Sequence, residues 1–480
     1  MSAPRFRRIS SIVVACVVIA LALGSVIQCA PAAPAQPTLA PAAPTTAPAQ
    51  PTAAPPATAP EPAAEKLTLR VWWWGETEAP GLEKWLQESG ELYKKDHPNV
   101  DFEFNLLSGE AMYPSFLAAA GAGNPPDLQV LWGGVLGLEQ AWNGNIRPIS
   151  DFWTEEELKH IYCATRAEGA WDGKQWLIPL YMDAWLMTYN KDIFTKSGLD
   201  PENPPQTWPE FVAALEKIKA AGFTPFAFGI KDGYFGAWWP SLLGTHKYDS
   251  ITDLHKAVVG EEKLTDDKHA YWWGLWKEIL DKGLTNDDAN SITLAEAGDM
   301  FLQGNVGVVM QVQPVITNYA RQMGEDKVGV MVPPKAGDGK LGFLLPVPGV
   351  DLAIPTKAAH PEEAADFLRF LNTPERINAQ YKQSGAISPN DQIDPAVVTL
   401  PTDQLIVKWV KERPGPTYNW NYPGDFETAL YEIGQALVSG SLTAEEAAQR
   451  YEEAAQKWRE NNPQAVENFK KWVANPLVCE

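Results

Sequence analysis

Chains that bind nucleic acid or anionic membrane surfaces carry clusters of lysine and arginine. Past its first ten residues this chain has none. Its 39 Lys and Arg face 60 Asp and Glu, a formal charge of −21 at pH 7, which favours solubility and repels polyanions. Cysteine is scarce too. Cys16, Cys29, Cys163 and Cys479 are all there are, too few for a disulfide scaffold. Outside the cytoplasm Cys163 and Cys479 could bridge, but spacing leaves that pairing open. The six histidines are scattered and form no His-Glu-x-x-His, so a zincin site is excluded. No Gly-x-Ser-x-Gly elbow occurs, and Gly173-Lys174 and Gly339-Lys340 lack the Ser/Thr that completes a phosphate loop. Asn286, Asp288 and Asn290 alternate like calcium ligands. Ser291 stands where that loop needs Gly, and no Glu closes it, so the segment reads as a solvated turn. Carboxylate pairs are too common among sixty acids to mark a glycosidase. There is no internal repeat. With no metal, cofactor or nucleophile motif, the chain favours binding over catalysis.

What is present begins with a leash. Arg5, Arg7 and Arg8 precede an unbroken apolar run, Ile12 to Leu23, and Cys29 follows. A basic head and short apolar core read as a secretory signal, residues 1–28. Cys29 behind it suggests lipidation, although Gln28 is larger than the residue usually found before such a cysteine. Cys16 follows Ala15, a better local match, but would leave too little apolar core. The alternative is an uncleaved anchor from Ile9 to Ile27. Residues 29–65 then form an Ala/Pro/Thr-rich linker that cannot bury apolar surface and reads as extended. Both readings put the folded part outside the membrane. Without residues 1–28 the formal charge is −24. From Lys66 onward the length suits two lobes, and all twenty tryptophans lie there.

The folded part alternates strand and helix patterns. Leu67, Leu69 and Val71 have a strand's period. Leu82, Trp85, Leu86 and Tyr93 have a helix's. Val100 to Leu106 alternates again, a helix is expected around Tyr113–Ala120, and Leu128–Trp132 is an apolar strand. Thr207 with Glu210, and Thr443 with Glu446, are capping boxes. The first opens a helix with Phe211, Leu215 and Ile218 inward, ended by Gly222. The second opens one with Ala447, Tyr451, Ala454 and Trp458 inward. This alternation predicts an α/β protein.

Several stretches carry a family likeness in their shared order: Val71-Trp-Trp-Trp-Gly-Glu76, Asp96-His-Pro-Asn-Val100, Gly121-Ala-Gly-Asn-Pro-Pro-Asp127 running into Leu131-Trp132-Gly133, and Ile178-Pro-Leu-Tyr-Met-Asp183 before Tyr189-Asn-Lys-Asp192. Then follow Gly198-Leu-Asp-Pro201 with Thr207-Trp-Pro-Glu210, Asp232-Gly-Tyr-Phe-Gly-Ala-Trp-Trp-Pro240, Phe301-Leu-Gln-Gly304 and His360-Pro-Glu-Glu-Ala364. Together they resemble the extracellular solute-binding proteins of ABC importers, in the maltose-binding-protein-like, carbohydrate-binding group. One departure stands out: Gln311-Val-Gln-Pro314 occupies a position where members often carry Gly-x-Trp, so a usual sugar-stacking Trp is absent there. The resemblance implies a two-lobed periplasmic-binding-protein-like (Venus-flytrap) α/β fold. Residues 66–182 plus 334–385 would form the first lobe and 183–333 plus 386–480 the second, with crossings near Met182, Val332 and Gly385. It implies a monomeric, non-enzymatic carbohydrate-binding lipoprotein that serves the membrane-spanning subunits of an importer.

A sugar presents C–H patches, which suit aromatic faces, and hydroxyls, which need directional partners because burying them unpaired is costly. The resemblance therefore implies ligand contacts from Trp74 and Glu76 after the first strand, Trp132, Asp183 at the crossing, Tyr234 with Trp238 and Trp239, and Tyr418, Trp420 and Tyr422. For any of these Trp, core packing is the competing reading, and Trp272, Trp273 and Trp276, at helical spacing, are assigned to core and flank. Two rivals stand beside a sugar importer's subunit: the same fold holding a polyamine, peptide or organic anion, and a secreted glycan-degrading enzyme.

Overall fold

The computed structural model describes residues 65–347 and 349–477. The signal segment, Cys29, the linker through residue 64 and Cys479 lie outside the described residues. Cys163 is disulfide-bonded.

Two sheets organise the folded part. In the first, strand Leu67–Trp73 lies between Val100–Leu106 and Leu128–Trp132, parallel to both. Strand Gly349–Pro355 returns antiparallel to Leu128–Trp132 and also pairs Ile178–Met182 and Ile146–Arg147. Along Leu67–Trp73 the period of two is visible as burial: Leu69, Val71 and Trp73 are at most 1% exposed, while Trp72 and Trp74 are half-buried. The second sheet runs Val328–Met331, Trp185–Asn190, Val306–Val312, Thr224–Ala227. Every residue of Val306–Val312 is buried, as expected of a central strand covered on both faces.

The helices begin where local chemistry starts them. Glu210 accepts from the Thr207 backbone N–H at 3.1 Å and opens helix Trp208–Ala220, whose Phe211, Leu215 and Ile218 are fully buried. Thr443 and Glu446 cap helix Ala444–Asn461. Its inner face is Ala447, Ala448, Tyr451, Ala455 and Trp458, and Ala454 sits at the edge. Among the described residues no helix is long and apolar enough to cross a membrane.

The chain passes between the sheets at three places. The first is Met182 to Trp185, where one sheet ends and the other begins. The third follows helix Pro374–Ser384 and is tied to the first, because Met182 N–H donates to Ile387 O at 3.0 Å. Gln313 fastens it from the second sheet's side. Its amide donates to Gly385 O at 2.9 Å, and its carbonyl accepts from Ile387 N–H at 3.0 Å. After Val332, where a crossing was expected, the chain keeps hydrogen bonds to the second sheet's side. Lys335 N–H donates to Gln206 O, Gly339 N–H to His246 O and Leu345 N–H to Arg413 O. Residues 335–345 are therefore bound to elements of the second sheet's side, and Gly349–Pro355 lies in the first sheet.

Candidate functional site

The strand ends converge on one cavity. Trp74 follows strand Leu67–Trp73, Trp132 ends Leu128–Trp132, and Asp183 and Trp185 flank the first crossing. From the other side come Tyr234 and Trp238 of helix Tyr234–Leu243, Gln311 of strand Val306–Val312, and Trp420. Together they enclose about 350 Å³, within the usual size range of small-molecule sites. Placement at strand termini is where open α/β sheets hold ligands.

Five indoles form a continuous wall. Trp74 meets Trp132 edge to face at a centroid distance of 4.7 Å. Trp132 stacks near-parallel to Trp420 at 6.0 Å. Trp420 in turn meets Trp185 at 6.4 Å, and Trp185 meets Trp238 at 4.5 Å. The wall thus joins residues of both sheets. Gly134 permits the approach of Trp420. It has φ +60°, and a Cβ there would lie 2.0 Å from Trp420 O.

Polar groups fill the remainder. Asp183 is 4% exposed, and its Oδ1 has no hydrogen-bond partner. Burial raises its carboxyl well above the usual range, helped by the charges of Glu78 and Asp351. Glu78 is pushed up to about 7 by burial, while the Tyr181 hydroxyl, donating at 3.0 Å, opposes the rise. Glu427 rises to about 7 for the same reason, opposed by Tyr431 and Asn419. Asp232 accepts from Leu294 N–H at 3.1 Å and is also raised, chiefly by burial. The indole N–H groups of Trp185 and Trp420 are buried and unpaired. Among the described residues these buried polar atoms have no partner, which carries a desolvation cost. Among the described residues no group of three or more His, Cys, Asp and Glu could hold a metal.

Of the ten residues expected at the ligand, the structure brings six to this cavity: Trp74, Trp132, Asp183, Tyr234, Trp238 and Trp420. Four are corrected. Trp239 is fully buried, donates from Nε1 to Trp272 O at 3.0 Å and stacks on Trp276. It projects about 100° round the helix from Trp238 and belongs to the core. Tyr418 and Tyr422 are fully buried beside Trp272 and Phe426. Glu76 accepts from Gly81 N–H and Glu83 N–H, both at 2.7 Å, so it caps helix Leu82–Asp96. Glu78, two residues on, reaches the cavity instead. Trp185, Gln311, Asp232, Asn419 and Glu427 also line it without having been singled out. Spacing of two from Asp183 was an available signal for Trp185, and the departure at Gln311-Val-Gln-Pro314 was one for Gln311, which lies in strand Val306–Val312. Asp232, Asn419 and Glu427 depend on loop and helix-end geometry.

Two α/β sheets, three crossings and a cavity between strand ends are the frame in which the comparisons fit. The model of the family described as bacterial extracellular solute-binding protein matches residues 76–376. The chain belongs to that family. Putative binding proteins of Brucella abortus and Brucella suis are 24% identical to this solute-binding protein over 266 residues, 54% of this chain and 61% of theirs. The chain thus spans about six-tenths of the length of those relatives. An uncharacterized ABC transporter extracellular-binding protein of Pyrococcus horikoshii is 26% identical over 347 residues, 68% of this chain and 72% of the relative. Among solved structures, a chitin oligosaccharide binding protein superposes with a TM-score of 0.72 at 19% identity, covering 82% of this chain and 98% of its own. Likeness at that identity establishes the fold, which is the two-lobed periplasmic-binding-protein type.

Proposed function

We propose that this protein is the extracellular substrate-binding subunit of a carbohydrate importer. The observation that carries the reading is the cavity wall: five indoles contributed from both sheets, with buried carboxylates and amides between them. Flat apolar faces beside unpaired acceptors and donors suit a molecule with C–H patches and a dense set of hydroxyls. A ligand touching both lobes favours the closed arrangement in proportion to its higher affinity for that form, and the membrane subunits of the importer receive it from there. The folded body is tethered through Cys29 and its linker, the protein acts as a monomer, and no reaction takes place on it. The first lobe spans roughly 66–182 plus 349–385, and the second roughly 183–347 plus 386–480.

An organic anion suits this cavity poorly, because among the described residues no Lys, Arg or His lines it. A thermal-shift screen over mono- and oligosaccharides tests the proposal. A ligand at about a hundred times its dissociation constant adds ~2.7 kcal/mol of stability, and the positive sugars should remain uncleaved on prolonged incubation. Cleavage products would establish the glycan-degrading enzyme instead. No shift with any sugar, alongside a clear shift with a peptide, would overturn the carbohydrate reading.

A further inference from the structure

The cavity's charge is one-sided. Glu78, Asp183, Asp232, Asp299 and Glu427 all line it, and none of the five forms an ion pair among the described residues. No lysine or arginine stands over any of the five cavity indoles either, although such contacts exist elsewhere, as at Trp85, Trp153 and Trp409. Hydroxyls can donate to these acids but leave their charge unbalanced. Amides accept as well and do not carry the desolvation cost of a buried carboxylate. Asp183 makes the point locally, being almost fully enclosed with an oxygen that nothing in the protein satisfies.

Resting on the carbohydrate reading above, we propose that the cavity selects a sugar carrying a protonated amine. The ammonium would sit between Asp183 and Glu78, and the ring carbons would lie along the indole wall. Two physical terms act together there. Carboxylates attract the ammonium in a poorly solvated space, and indole faces attract cations more strongly once water is removed. The raised carboxyls agree with this arrangement: burial disfavours their charge, and a neighbouring cation favours it. The strongly negative chain as a whole also raises the local concentration of a cationic ligand.

Calorimetric titration at pH 7 with matched pairs tests this. The pairs are glucosamine and glucose, galactosamine and galactose, mannosamine and mannose, and the β-1,4-linked glucosamine trimer against cellotriose and the N-acetylglucosamine trimer, with spermidine as a cation that is not a sugar. The proposal expects the free amine to bind at least tenfold tighter than its partner in every pair that binds. It also expects Asp183→Asn to cut that ratio about tenfold, and Glu78→Gln, an independent variant, to reduce it as well. Equal or tighter binding of the hydroxyl or N-acetyl member overturns the amine preference and leaves the sugar function standing. So does a ratio unchanged in both folded variants. Tight binding of spermidine with no sugar bound removes both readings at once.

Discussion

Trp132 and Trp239 are both tryptophans of the expected ligand wall, yet the structure gives them opposite roles, and truncating each should separate binding from packing. Trp132 is half-buried and borders the cavity. A sugar face covering ~50 Å² of its indole hides a similar area of its own, ~100 Å² together. At about 25 cal/mol per Å² that is ~2.5 kcal/mol, close to 70-fold in affinity. Trp132→Ala also gives up its contacts with Trp74 and Trp420, at ~0.5–1.5 kcal/mol each. Its stability should therefore drop by ~1–3 kcal/mol. Trp239 is fully enclosed by Trp208, Phe226, Phe235 and Trp276. Trp239→Ala should cost ~3–5 kcal/mol of stability and leave the folded fraction binding within about twofold of the parent. Denaturant unfolding gives one quantity, and calorimetric titration well below the melting transition gives the other. The reasoning fails if Trp132→Ala binds as well as the parent, or if folded Trp239→Ala loses affinity to the same degree.

Glu76→Ala should remove a helix cap, costing ~0.5–2 kcal/mol in denaturant unfolding, with affinity unchanged; a tenfold affinity loss would put Glu76 back at the ligand. Gly134→Ala combines a left-handed backbone with a collision at Trp420 O. A loss of at least ~2 kcal/mol and weaker sugar binding are expected, and neutrality in both assays would contradict the close approach. Asp351 is 2% exposed, and burial pushes its carboxyl up to about 8; Glu78 and Glu427 are raised to about 7. In the unfolded chain such acids titrate near ~4, so the folded form holds extra protons between ~4 and ~8. Their contribution to stability is fully present below ~4 and lost as pH rises through 7 to 8. The ligand-free melting temperature should therefore fall between pH 5.5 and 8.5, and a flat or rising profile would refute this.

Local pattern carried a reader far into this fold. Alternation in Leu67–Val71 and the capping boxes at Thr207 and Thr443 locate elements that need only neighbours in sequence to form. The middle crossing was less legible, because residues 335–345 are held by hydrogen bonds to distant Gln206, His246 and Arg413, which no local pattern encodes. At the site, Trp74, Trp132 and Asp183 sit at strand ends, where position already implies direction. Trp238 and Trp239 are adjacent on one helix and point about 100° apart, and helical phase alone does not say which faces the cavity. Tyr418 and Tyr422 flank a short turn, Asn419–Asn421, whose winding buries both and leaves Trp420 at the wall. Glu76 and Glu78 differ only by how the chain bends after Gly75, which has φ +125°.

The central claim is that a carbohydrate binds against the indole wall between the two sheets. A crystal structure with the tightest sugar from the thermal-shift screen tests it most directly. The account predicts a sugar ring in contact with Trp132 on one side and Trp238 on the other, with a polar group of the ligand within hydrogen-bonding distance of Asp183. A bound sugar that leaves this cavity empty, or one that touches residues of only one sheet, would contradict it.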